Sequence, residues 1–104
     1  MLELTEDNFD EIVLKSKIPV LIDFWSPTCV PCRTLIPILD ALARTNEDDA
    51  LIAKVNVLDC TNIAQKYGVS SLPTIMIFND GYVVERMLGV QSQEKLQEAL
   101  DEVV

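Results

Sequence analysis

A chain of 104 residues, 49% hydrophobic and 24% charged, has room for one hydrophobic core and not two, and its composition is that of a globular domain rather than a disordered segment. Seventeen Asp and Glu against eight Lys and Arg give a net charge of −9, which repels phosphate backbones and excludes nucleic acid as an expected ligand. Three Cys and no His leave too few ligands for a buried zinc cage and exclude a His base. The acidity has two readings, solubility or steering toward a basic docking face.

Residues 1–104 are therefore read as a single domain. The opening stretch, Met1 to Asp7, has neither a positive start nor an apolar core, so no secretory signal is expected and the setting is read as cytoplasmic and reducing. Thr5, followed by Glu6 and Asp7, starts a helix whose apolar face is Phe9, Ile12 and Val13. Pro19 closes it. Val20 to Trp25 is short, β-branched and aromatic, and apolar on both faces, as a central strand requires; Asp23 is its anomaly. The longest apolar run, Ile18 to Trp25, is far short of the about 20 residues that span a bilayer, so no membrane association is expected.

After the turn Ser26-Pro27-Thr28 a second helix begins near Cys29, with Pro31 in its first turn and Leu35, Ile38, Leu39 and Leu42 as its buried stripe. Pro37 inside that stripe predicts a kink without a break. Leu51 to Val57 reads as a strand, Asn62 to Tyr67 as a short helix ended by Gly68, and Thr74 to Phe78 as a strand turning through Asn79-Asp80-Gly81 into Tyr82 to Leu88. Ser92 caps a last helix with Leu96, Ala99, Leu100 and Val103 inward. The order β-α-β-α-β-α-β-β-α, with an early parallel part and a closing hairpin, predicts an α/β fold with a central mixed sheet flanked by helices.

Cys29-Val30-Pro31-Cys32 follows a buried strand and opens a helix, the context in which a C-x-x-C motif reads as redox-active. A helix N-terminus offers unpaired N–H groups and a positive dipole end, both of which favour a thiolate. Lowering a thiol pKa of about 8.5 by one to two units raises its ionised fraction roughly tenfold at neutral pH. Cys29 is thus the expected nucleophile and Cys32, one turn on, the resolving thiol. The competing readings are half a zinc site, for which one further Cys is too little, and an inert disulfide, which a reducing compartment disfavours.

The segment Asp23-Phe24-Trp25-Ser26-Pro27-Thr28-Cys29-Val30-Pro31-Cys32-Arg33 resembles the active-site segment of the thioredoxin family, normally DFWAxWCGPCK. Pro37, Lys54, Tyr67-Gly68-Val69, Leu72-Pro73-Thr74 and Gly89 extend the likeness from about Thr5 to the C-terminus. The resemblance implies a thioredoxin-like fold and a protein-disulfide reductase that needs no cofactor. It also implies a monomer that takes electrons from a thioredoxin-reductase-type donor and passes them to disulfides of protein clients.

By the same resemblance Asp23 accepts the proton of Cys32, which fits a carboxyl held in an apolar strand; a merely structural Asp at a strand end is the alternative. Lys54 resembles the ion-pair partner that moderates Asp23, or is a snorkelling surface Lys. Pro73 resembles the family's cis-proline, where the backbone of Leu72 pairs with an extended client segment. Gly89 and Val69 join the docking surface, and Trp25 is both core and wall.

Two positions depart from the pattern. Thr28 stands where the family has a second Trp, and Val30 where it has Gly, which changes docking surface and redox poise around an intact thiol pair. Cys60 is read as a small buried hydrophobe or as an exposed regulatory thiol. Two functional rivals stay open: an oxidase or isomerase running the same exchange in reverse, and a non-catalytic binding subunit on the same scaffold.

Overall fold

The computed structural model describes residues 1–103. Five strands form one mixed sheet in the order β1-β3-β2-β4-β5: β1 (Leu2–Glu3), β2 (Val20–Trp25), β3 (Leu51–Asn56), β4 (Thr74–Asn79) and β5 (Tyr82–Leu88). β1, β3 and β2 run parallel, while β4 lies antiparallel to both β2 and β5. β2 is central and buried, as its two-sided apolar run requires. The helices are α1 (Val30–Thr45), α2 (Thr61–Lys66) and α3 (Gln93–Asp101). The alternation of β2 sends Val20, Ile22 and Phe24 to one face and Leu21 to the other, and two core layers result.

On the first face the sheet packs against Phe9, Val13 and Ile63, with Phe9, Tyr67 and Phe78 forming a tilted and edge-on aromatic cluster. The first helical segment starts as expected. Thr5 N–H donates to Asn8 Oδ1 and Asn8 N–H to Thr5 Oγ1, a reciprocal cap. Its body differs, because Asp10–Leu14 is a π-helical turn in which Lys15 N–H reaches back five residues to Asp10 O. Phe9 and Val13 are nevertheless both buried.

On the second face α1 and α3 cover the sheet. α1 presents Cys32, Leu35, Leu39 and Leu42 as one fully buried stripe and continues through Pro37. α3 adds Leu96 and Leu100, its Ser92 cap accepting from Lys95 N–H, and Val103 packs just beyond its end. The two helices are clamped by a reciprocal amide pair. Asn46 Nδ2 donates to Gln97 Oε1 at 2.7 Å and Gln97 Nε2 to Asn46 Oδ1 at 2.9 Å.

Two glycines are required by backbone geometry. Gly68, at φ 65°, ends α2 and lets Val69 N–H reach Ala64 O. Asp80 and Gly81, both at positive φ, make the tight turn between β4 and β5, and a Cβ on Gly81 would stand 3.0 Å from the Leu14 carbonyl oxygen.

Candidate active site

The site lies where β2 delivers the chain into α1. Cys29 N–H donates to Ser26 O at 3.2 Å and the Ser26 and Thr28 hydroxyls are 3.3 Å apart, so the turn after Trp25 is tied internally. Arg33 braces it from the first turn of α1 by donating to Pro27 O at 2.9 Å. Cys29 is the N-cap of α1, and its Sγ accepts the Cys32 N–H at 3.2 Å. A sulfur in that position receives one of the helix's free amide donors and the positive end of its dipole, the two influences that favour a thiolate. Pro31 loses nothing there, because its missing N–H would have had no partner within the helix.

Cys29 and Cys32 are joined as a disulfide across a Cα–Cα distance of 5.3 Å. Their environments differ. Cys32 is fully buried, Cys29 is partly exposed, and Val30 between them is 67% exposed. Cys29 is therefore the sulfur that solvent reaches, beside an exposed Val30.

Beneath α1, β2 alternation puts Asp23 on the same sheet face as Leu21, the face that α1 covers with its Cys32 stripe. Asp23 is 1% exposed and both its carboxyl oxygens lack a hydrogen-bond partner among the described residues. Burial pushes its pKa up to about 7; Lys54 pulls it down and Glu3 adds to the rise. Such a group exchanges a proton near neutral pH. Lys54 sits opposite Asp23 in the β2–β3 register, but its ammonium turns elsewhere. Its Nζ lies 4.0 Å from Glu3 Oε1 and 4.8 Å from the Trp25 ring centroid, and no ion pair to Asp23 forms.

At the rim, the Leu72–Pro73 peptide is cis and Pro73 O accepts the Gly89 N–H at 2.9 Å, which joins the loop before β4 to the end of β5. Val69 and Leu72 are half-buried and pack partly on the aromatic layer, while Gly89 is half-exposed. Trp25 is half-buried, its indole N–H donating to Glu3 Oε2 at 3.0 Å. Three features escape the sequence reading: Glu3, and the exposed apolar side chains Leu58 and Leu88. Leu58 follows Val57, whose N–H bonds Trp25 O, and Leu88 pairs with Thr74 beside Pro73. Their signal is positional, since Glu3 and Leu88 are the last residues of β1 and β5 and Leu58 follows the end of β3 by two.

Cys60 is buried and free, donating weakly to Leu4 O at 3.7 Å, and its thiol pKa is raised by burial first and then by Glu6, Asp59 and Glu3. This is the small-hydrophobe reading, not the exposed thiol. Among the described residues no group of three or more His, Cys, Asp and Glu side chains is placed to hold a metal ion.

A disulfide that is half open to solvent at a helix N-terminus, above a buried and unpartnered carboxyl, is built to trade its bond with other sulfurs, which makes this chain a thiol-disulfide oxidoreductase. The comparisons with known proteins agree. The family model described as Thioredoxin matches residues 1–102. The chain is 41% identical over 98 residues to Thioredoxin 1 of Synechococcus elongatus, covering 94% of this chain and 92% of that one. It is 36% identical over 102 residues to Thioredoxin of Porphyra purpurea, covering 98% and 95%. It is also 38% identical over 99 residues to Thioredoxin M-type, chloroplastic, of Triticum aestivum, covering 95% of this chain and 57% of that protein. The chain belongs to the thioredoxin family.

Proposed function

We propose that this chain is a protein-disulfide reductase in which Cys29 attacks and Cys32 resolves. The Cys29 thiolate attacks one sulfur of a client disulfide, forming a Cys29–client bond and expelling the other client sulfur as a thiolate. Cys32 gives its proton to Asp23 and attacks Cys29 Sγ, which breaks the mixed disulfide and releases the second client sulfur as a thiolate. The client disulfide has gained two electrons and the Cys29–Cys32 pair has lost them. A thioredoxin-reductase-type donor returns the pair to the dithiol. Lys54 moderates Asp23 as a nearby positive charge. No cofactor takes part in the exchange.

The observation that carries this reading is the asymmetry of the two sulfurs: Cys29 capped and reachable, Cys32 buried behind it. The surface around them suits a macromolecular client. A hollow of about 670 Å³ lies by Thr45 and α3 at the far end of α1, about 24 Å along that helix from Cys29, and three further hollows are likewise lined by residues away from the disulfide. A small substrate would want a cleft. An extended client segment laid across Trp25, Thr28, Val30, Pro31 and Val69 needs only a face, with its main chain pairing against Leu72 beside Pro73 and Gly89.

The chain acts as a monomer in the cytoplasm, whose glutathione poise drives such exchange toward client reduction. Among the described residues no helix is long and apolar enough to cross a membrane.

The assignment of roles is tested by trapping. Reduced Cys32→Ser incubated with a disulfide-bonded client is expected to accumulate a stable adduct of one protein and one client, located at Cys29 by peptide mass mapping. An adduct at Cys60, or none, would refute the assignment.

A further inference from the structure

Glu3, Lys54 and Asp23 stand in one row across the sheet. Glu3 pairs with Lys54 in the parallel β1–β3 register, and Lys54 pairs with Asp23 in the β3–β2 register, so acid, base and acid occupy successive strands. Exposure falls along the row, from an exposed Glu3 through a half-buried Lys54 to a buried Asp23. Coulombic attraction in the drier interior would draw the Lys54 ammonium inward to Asp23 if nothing competed. Two contacts compete. Glu3 Oε1 faces Lys54 Nζ at 4.0 Å, and the Trp25 ring lies under the same ammonium at 4.8 Å. The second oxygen of Glu3 accepts the Trp25 indole N–H at 3.0 Å, which fixes carboxylate and ring together.

We infer that Glu3 is a positioning residue of the redox centre: by holding the Trp25 indole with one oxygen and Lys54 with the other, it keeps the ammonium at the outer end of the row and leaves the Asp23 carboxyl without an ion-pair partner. A single residue of an edge strand thereby biases the proton held under Cys32. The sign is consistent with the electrostatics of Asp23, where Glu3 raises and Lys54 lowers the proton affinity. The charged and titratable surroundings of Asp23 are few. β3 supplies Lys54 and β1, beyond it, Glu3; β4 presents apolar Ile75 at the paired position; and the inward stripe of α1 brings Cys32, which does not titrate while in the disulfide.

The relevance of this device rests on Asp23 exchanging a proton with Cys32 as proposed above, but its test needs no client and no turnover. The Asp23 carboxyl is titrated by NMR in the oxidised protein, in wild type, Glu3→Gln, Lys54→Met and the double variant. Gln keeps an acceptor for the indole and removes the charge. The midpoint in Glu3→Gln is expected to fall by roughly half a pH unit or more, and that in Lys54→Met to rise. The decisive quantity is the coupling: the Glu3→Gln shift should shrink by about half or more when Lys54 is already absent. An unchanged midpoint in Glu3→Gln, or the same shift with and without Lys54, would overturn the inference. Either result would leave the reductase reading standing, since the trapping experiment reads that separately.

Discussion

Cys29→Ser is expected to lower the rate of client-disulfide reduction by about 1000-fold or more, measured as thiols released from a disulfide-linked peptide under fixed reductant. The hydroxyl that replaces the thiol is not ionised at neutral pH, and neither the Cys32 N–H nor the α1 dipole can shift it far enough to change that. Cys32 does not substitute for it. Cys32 is fully buried on the inner stripe of α1, where a client sulfur has no line of approach. Cys60 is equally unable to take over, being buried, free of any partner thiol and held in its protonated form by burial and by neighbouring carboxylates. Residual activity of wild-type size in Cys29→Ser would remove the nucleophile from the scheme.

Asp23→Asn is expected to stabilise the oxidised protein at pH 8, and much less so at pH 5. The folded carboxyl keeps its proton up to a pKa of about 7, whereas an ordinary Asp releases it at 3.8. Between those two values the folded state binds the extra proton, so folding stability falls as pH rises and then levels off above about 7. At about 1.4 kcal/mol per pKa unit the full penalty is up to about 4 kcal/mol, and the part that develops between pH 5 and pH 8 is about 2 to 3 kcal/mol. Asn has nearly the same shape and no charge, so it escapes the penalty. Urea unfolding of both proteins at the two pH values reads the difference directly. Wild-type and variant curves that stay parallel in pH would mean that Asp23 is already ionised at pH 5. A stability loss of this size in an otherwise apolar strand is consistent with the proton-accepting role proposed for Asp23.

Much of this was legible in the sequence because the informative signals are local. The run Val20 to Trp25 could be buried on both faces only as a central strand, and that made Asp23 visible as a charge in the wrong solvent. Cys29 and Cys32 were readable because a helix start follows from the residues themselves: a turn, a proline in the first helical turn and a stripe at helical spacing. What escaped was set by distant pairing. Glu3 reaches Lys54 and Trp25 only because β1 joins β3 across more than fifty residues of chain; the expected order opened with a strand, but two residues carry no periodicity to say which ones form it. For the same reason the pairing of Lys54 could not be foreseen. A register places it beside Asp23, yet a competing carboxylate from the sheet edge decides where the ammonium rests. The π-helical turn at Asp10–Leu14 was hidden more simply, since apolar spacing distinguishes poorly between four-residue and five-residue backbone closures over a single turn.

The departures at Thr28 and Val30 now have a physical setting. Thr28 bonds within the turn rather than offering an apolar ring, and the exposed apolar contact beside Cys29 falls to Val30, with Leu58 and Leu88 at the neighbouring strand ends. The surface around Cys29 thus presents small aliphatic side chains where the family pattern has an indole, on a chain of strongly negative charge.

The most direct measurement is the reduction of insulin disulfides by dithiothreitol with and without the wild-type chain. Catalysed acceleration that scales with protein concentration is the predicted result. No acceleration over dithiothreitol alone would contradict the assignment of protein-disulfide reduction to the Cys29–Cys32 pair.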